Sequence, residues 1–207
     1  MYAKQVNVAG TGGKGNMRAT DDRYRREQAR FNLAMRLIEH EARTGTIRYL
    51  TGLQDDRIRK LYTTYFKYDA QPVRRRRGRS PTRVGPLVRT PQRALESGAF
   101  ANLLLANGLF CIERPPGPNL KANVDLGHRL CECFETFEEL IPHHSLSFEW
   151  GWNLLQSIRR GDELGIARCE KCRVCYVFDL LSLPRTACPA CLLFQRERAV
   201  PFELLSA

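Results

Sequence analysis

Five of the chain's eight cysteines fall in one stretch, CEKCRVCYVFDLLSLPRTACPAC, from Cys169 to Cys191. Thiolates at this density suit a soft metal ion, and four of them complete a tetrahedral Zn(II) site. The second half of the set, Cys188 and Cys191, is one CxxC pair. The first half is ambiguous, because Cys169 with Cys172 and Cys172 with Cys175 both read CxxC. Pairing Cys169 and Cys172 with Cys188 and Cys191 leaves fifteen residues between the pairs, within the window of the paired-CxxC zinc pattern. Starting from Cys172 and Cys175 leaves twelve. Spacing therefore favours the first quartet, with Cys175 as a small buried hydrophobe; redox chemistry at a CxxC and a rubredoxin-like iron are the minor alternatives. A site closed by four thiolates has no open position for water, so the expected role is structural and no catalysis is expected.

The remaining reactive side chains point to no enzyme. Cys111, Cys131 and Cys133 lie beside apolar residues and read as core fillers in helices. His40, His128, His143 and His144 show no metal-ligand spacing. No Walker loop, GxGxxG or GxSxG is present in a context that would cradle phosphate or expose a nucleophile.

Charge supplies the second functional signal. The 207 residues carry 33 Lys and Arg against 22 Asp and Glu, a formal charge of +11, which favours polyanionic partners and nucleic acid first among them. From Ala70 to Leu95 there is no acidic residue, while Arg74, Arg75, Arg76, Arg77, Arg79, Arg83, Arg89 and Arg93 stand among four prolines. Like charges so dense oppose compaction, which predicts an extended basic loop over residues 70–90. Arg74, Arg75, Arg76, Arg77 and Arg79 are the candidates for phosphate contacts, and Arg57, Arg59 and Lys60 for base readout.

The elements that must position these groups are mainly helical. In DRYRREQARFNLAMRLIEHEARTG the apolar residues Phe31, Ala34, Met35, Ile38 and Ala42 fall on one helical face, with Gly45 as a candidate C-cap. TGTIRYLTGLQDDRIRKLYTTYF reads as a short helix, a turn at Gly52 and a second helix opened by Asp55 and Asp56, with Ile58, Leu61, Tyr62 and Tyr65 inward. This is helix-turn-helix grammar, and equally that of a helical hairpin packing on a partner. Thr90 and Pro91 open a helix running to Gly108, another ends at Pro142, and a third stops at Gly161. Roughly five helices precede residue 160. Beyond it, Val174, Tyr176 and Phe178 alternate with Cys175, Val177 and Asp179, the period of a strand following a cysteine knuckle. The expected fold is mainly α: a disordered tail (1–21), a multi-helix DNA- or partner-binding body with a helix-turn-helix-like segment (22–160), a small zinc-ribbon-like four-cysteine module with short β-strands (161–195) and a C-terminal tail (196–207). No run of eighteen apolar residues and no secretory leader pattern occurs, so a cytoplasmic protein is expected, with no membrane partner.

Five stretches, RFNLAMRLIEHEARTGTIRYLTGL, DRIRKLYTTYF, TPQRALESGAFANLLLANG, WGWNLLQSIRRGDELGIARCEKC and ACPAC, together resemble the FlhC family of flagellar transcriptional activators, in order from about residue 22 to residue 195. The resemblance implies a cytoplasmic, zinc-bearing subunit. It implies assembly with FlhD into a heterohexamer of four FlhD and two FlhC chains that binds promoter DNA and activates flagellar and other genes, and hence contact with RNA polymerase. It also places the family's zinc ligands on Cys169, Cys172, Cys188 and Cys191, and no ligand on Cys175. A second reading of the residues is a zinc-ribbon RNA-binding or assembly-adaptor protein without sequence-specific DNA binding.

Overall fold

The computed structural model describes residues 19–68, 73–76, 78, 80–81, 83–112, 123–182 and 186–199. Arg77, Arg79, nearly all of the N-terminal segment 1–21 and most of 196–207 lie outside the described residues. Three N-terminal helices open the fold. The first, α1 (Ala19–Glu39), carries Asp21 and Asp22 in its first turn, where carboxylates suit the positive end of the helix dipole. It buries Leu33, Ala34, Leu37 and Ile38, whereas Phe31 and Met35 are only partly buried. The buried face is thus rotated from the expected stripe, because α1 packs on two neighbours, α2 (Thr44–Thr51) and α5 (Val124–Leu140). Its end also differs: Glu41, at φ 56°, makes the left-handed turn, and Gly45 sits inside α2.

Gly52, at φ 70°, ends α2 and donates its N–H to Arg48 O at 2.8 Å. The following helix, α3 (Asp55–Leu61), widens into a π turn over Tyr62–Phe66. The wider turn advances the apolar stripe by one residue. Phe66 is therefore buried and Tyr65 is 51% exposed, the reverse of the simple helical expectation.

Three longer helices complete the body: α4 (Pro91–Ala106), α5 and α6 (Phe148–Arg160). Thr90 caps α4 by accepting from Arg93 N, and Asn123 caps α5 by accepting from Leu126 N at 2.6 Å. Their shared core is aromatic, with Phe100 against Phe137 (5.4 Å between centroids) and Phe134 against Phe148 (5.3 Å). Gly151 lets α6 approach this cluster, since a Cβ there would lie 2.7 Å from Phe100 Cε1.

The described residues between 73 and 90 are anchored, in contrast to the extended arm expected from the arginines there. Val84 and Leu87 are buried, and a 3-10 turn spans Gly85–Leu87. Val73 O accepts from Tyr62 Oη at 2.7 Å, and Ser80 Oγ donates to the buried carboxylate of Glu149. Glu149 also accepts from Arg43 N (3.1 Å) and Thr46 Oγ1 (2.8 Å). Apolar anchors and a satisfied buried carboxylate outweigh like-charge repulsion here.

A two-stranded antiparallel ribbon follows, β1 (Leu164–Arg168) and β2 (Cys175–Asp179), with Ile166 opposite Val177 and Gly165 opposite Phe178. Leu164, Ile166 and Val177 face the body core, while Ala167, Tyr176 and Phe178 face the cysteine cluster. The last helix, α7 (Pro189–Ala199), stands where the sequence reading assigns no element. The chain is mainly helical with one small ribbon and a cysteine cluster near its C-terminal end. Among the described residues no helix is long and apolar enough to cross a membrane.

Candidate metal centre

The ribbon and α7 bring the two cysteine pairs together. Cys169 leaves β1, its N–H bonded to Val174 O at 3.0 Å, and Arg173, at φ 64°, donates to Cys169 O at 2.9 Å. This closed turn puts Cys169 and Cys172 on one knuckle. Glu170 N donates to Thr186 O at 3.0 Å, which ties that knuckle to the second one. Cys188 precedes Pro189, the first residue of α7, and Cys191 lies within the helix's first turn. Pro at this position loses no helical hydrogen bond and turns the pair back on itself.

The Sγ atoms of Cys169, Cys172, Cys188 and Cys191 all lie within 4.8 Å of one another. Cys172 Sγ and Cys188 Sγ are 3.6 Å apart. A tetrahedron with metal–sulfur bonds of about 2.3 Å has sulfur–sulfur edges of roughly 3.8 Å, so the donor set fits a tetrahedral soft cation and is compatible with zinc. Cys188 N donates to Cys169 Sγ (3.2 Å) and Cys191 N to Cys188 Sγ (3.5 Å), amide bonds of the kind that stabilise thiolates. Cys169 and Cys188 are buried, Cys191 is half-buried and Cys172 is exposed. The centre thus has a dry side under Tyr176 and Ala187 and a side open to solvent.

Electrostatics distinguish the ligands. Burial opposes ionisation of Cys169, yet amide donors from Cys172, Cys188 and Lys171 outweigh it and hold its pKa down to about 6. Burial raises Cys188, and the hydrogen bond that the Cys191 thiol makes to Cys172, with burial behind it, raises Cys191 to about 12. Four thiols so close cannot all ionise without a cation among them, and a divalent ion would supply that charge.

Cys175 is outside the cluster. It lies opposite Arg168 on the ribbon face turned away from the cysteines, and it is buried. Cys131 and Cys133 are buried in α5, where desolvation pushes their thiols up to about 12 and about 11, so they remain neutral. Cys111 differs from the expected core filler: it is exposed and lies beyond the end of α4.

The basic candidates are dispersed. Arg57 pairs with Glu27 of α1 at 2.8 Å, and Arg59 with Asp56 at 2.8 Å. Lys60 and Arg74 are exposed with no ion-pair partner among the described residues. Arg75 lies 5.7 Å from the Tyr62 ring centroid, and Arg76 is paired with Glu41 at 2.7 Å. Arg76 and Arg57 are thus committed within the fold, while Arg23, Arg25, Arg26 and Arg30 of α1 add exposed positive charge. The residue that the sequence did not single out is Asn102. From α4 it donates to Cys175 O (2.6 Å) and accepts from Cys175 N (3.3 Å), docking the cysteine-bearing ribbon to the body. A lone Asn inside a helix carries no spacing signal that would have revealed it.

Fold and site together define a mainly helical protein with a four-cysteine cluster of metal-binding geometry. No family model matches the chain, and no curated protein matches it.

Proposed function

We propose that the chain is a zinc-bearing DNA-binding subunit of a transcription activator, in keeping with its resemblance to FlhC, and that it acts in complex with an FlhD-like protein in the cytoplasm. The observation that carries the reading is the four-cysteine cluster, standing where the resemblance implies it, at the C-terminal side of a helical body. Zn(II) bound by Cys169, Cys172, Cys188 and Cys191 would neutralise the thiolates and fasten the ribbon to α7. With four protein ligands it leaves no position for substrate, so the role proposed for the metal is structural.

The net charge of +11 supports a polyanionic partner. The exposed cations Lys60 and Arg74, with Arg23, Arg25, Arg26 and Arg30 of α1, would neutralise phosphates. Co-expression with the FlhD-like protein of the same organism, followed by sizing, metal analysis and gel shifts at several salt concentrations, tests the reading. The expected result is a hetero-oligomer with one zinc per chain and tighter binding to promoter fragments than to random DNA. Equal affinity for random DNA and RNA would favour the zinc-ribbon RNA-binding or adaptor reading.

A further inference from the structure

We infer that the π turn Tyr62–Phe66 and the residues beside it form a stacking platform for unpaired nucleobases, so that the chain binds single-stranded nucleic acid through exposed tyrosine rings. The inference rests on the nucleic-acid part of the function proposed above and goes past it in naming the form of the ligand and the rings that hold it. A π turn within a helix is uncommon and is frequent at functional sites. Here it turns Phe66 into the core and leaves Tyr65 facing solvent.

The turn is braced on two sides. Phe31 of α1 meets the Tyr65 ring edge to face, at 84° and 5.9 Å between centroids. On the other side Tyr62 Oη donates to Val73 O, which brings Arg74 and Arg75 beside the turn, the Arg75 guanidinium 5.7 Å from the Tyr62 centroid. Tyr68, 80% exposed, stands three positions after Tyr65, and Lys67 Nζ lies 4.9 Å from its ring centroid. A ring already braced loses little freedom when a base stacks on it, and every base has a face that can do so.

Charge around the turn matches a phosphate strand. No acidic residue occurs from Arg57 to Tyr68, and Lys60, Lys67 and Arg74 are exposed with no ion-pair partner among the described residues. A single strand would set its phosphates against these cations and its bases against the rings. A duplex keeps its bases stacked on one another, so it would use the cations and leave the rings idle. The exposed side chains also distinguish this face from the cysteine module. Up to residue 110 the large exposed apolar side chains among the described residues are all tyrosines, Tyr24, Tyr49, Tyr65 and Tyr68, whereas Val174, Leu180, Leu181 and Phe194 are exposed beyond it. An acidic protein segment would match the cations and offer no planar faces to the tyrosines.

The test is fluorescence anisotropy of a labelled oligothymidylate of about fifteen nucleotides with the full-length, metal-loaded chain. A duplex of the same length and a capped oligoglutamate peptide are measured beside it. Each is titrated with the parent chain and with the Y65A/Y68A and Y65F/Y68F variants, whose fold circular dichroism confirms. The expected result is oligothymidylate binding that falls roughly tenfold or more in Y65A/Y68A and is kept in Y65F/Y68F. The salt slope should be the same in all three chains, and duplex affinity should move less than about twofold, since the cations remain. Oligothymidylate affinity unchanged in Y65A/Y68A overturns the inference, as does an equal loss on the duplex. Binding of the duplex without binding of the single strand overturns it and leaves the DNA-binding proposal standing, whereas binding of neither overturns both. Ring-dependent binding of oligoglutamate at equal or higher affinity would also overturn it, by assigning the surface to an acidic protein.

Discussion

Asn102 holds the backbone of Cys175 much as a neighbouring strand would: its Nδ2 donates to Cys175 O at 2.6 Å and its Oδ1 accepts from Cys175 N at 3.3 Å. One side chain on α4 thereby satisfies both edge groups of the first residue of β2. It also decides how Cys175 is used. Asn102 fixes the Cys175 backbone on the α4 side and the flanking Val174 bonds Cys169 on the other, so the Cys175 side chain cannot turn toward the cysteine cluster without breaking both attachments. The ambiguity between two overlapping CxxC pairs is thus resolved by a residue more than seventy positions away.

Replacing Asn102 by Ala should leave two buried backbone groups unpaired and lower stability by about 1–3 kcal/mol. Asn102→Asp should be at least as harmful, because it puts an acceptor opposite the Cys175 carbonyl. Urea unfolding with metal analysis at each variant's folded plateau checks this. The four-cysteine cluster is intact in both variants, so the metal equivalent should persist wherever the fold does.

Metal ligation itself separates the cysteines. Cys169→Ala, Cys172→Ala, Cys188→Ala and Cys191→Ala should each lower bound zinc and solubility, since so small a module has little core to hold it without a metal. Cys175→Ala should retain a full equivalent. Cobalt substitution offers a spectroscopic check, because a four-thiolate site gives strong charge-transfer and tetrahedral d–d bands. Loss of those bands in Cys175→Ala would show that the quartet is wrong.

The ribbon depends on a close contact at Gly165. A Cβ there would lie 2.6 Å from Phe178 Cζ and 2.9 Å from Leu180 Cδ2. Phe178 packs with the apolar cluster beneath the cysteines, so Gly165→Val should displace its ring and cost about 1–3 kcal/mol by overpacking. Thermal unfolding should show the loss. Gly165→Val with Phe178→Ala should recover part of it, since the smaller residue vacates the space.

Which features could be read from the sequence follows from the range of the interactions that make them. Helices α4 to α6 announce themselves through local signals such as Thr90 with Pro91 and the glycine at 161. The four cysteines that spacing selects are those whose sulfurs cluster, because CxxC knuckles and their separation are themselves local. Features set by long-range contact were not readable. Helix α7 is short and marked by little beyond Pro189, the π turn at Tyr62–Phe66 shifts a stripe by a single residue, and Arg76, Ser80, Val84 and Leu87 are held by Glu41, Glu149 and the core. Repulsion among the arginines was the visible term, and the partners that offset it lie elsewhere in the chain.

The link between α1 and α5 gives a pH-dependent prediction. Arg36 binds Glu135 through Nε at 2.7 Å and Nη2 at 2.5 Å, and His40 Nε2 lies 3.0 Å from the same carboxylate. The Arg36 hydrogen bond, against some burial and with help from His40, holds the Glu135 pKa below its ordinary 4.5. A carboxylate whose folded-state pKa is depressed adds stability above its unfolded value and loses it as pH falls through the folded one. Glu135→Gln should therefore be less stable than the parent chain near neutral pH, and the gap should close in acid below the ordinary carboxylate range. The gap should be modest, since both side chains keep contact with solvent. A gap that stays constant down to low pH would mean that Glu135 acts through packing and not through charge.

The arginines sort by their internal partners, and this makes the DNA-binding proposal testable residue by residue. Arg76 is paired with Glu41 at 2.7 Å, whereas Arg74 is exposed with no ion-pair partner among the described residues. Arg74→Ala should weaken DNA binding about equally for all sequences and reduce the slope of log K against log salt by about one phosphate contact. Arg76→Ala should leave that slope nearly unchanged and show its effect in stability, by releasing Glu41 and loosening the 73–76 segment. Arg57→Ala should behave like Arg76→Ala, since Glu27 already holds it at 2.8 Å. Paired salt titrations and urea unfolding on the three variants separate the outcomes. If Arg74→Ala leaves the salt slope unchanged while Arg76→Ala lowers it, the phosphate contacts lie on the residues that pair inside the free protein, and binding must first break those pairs.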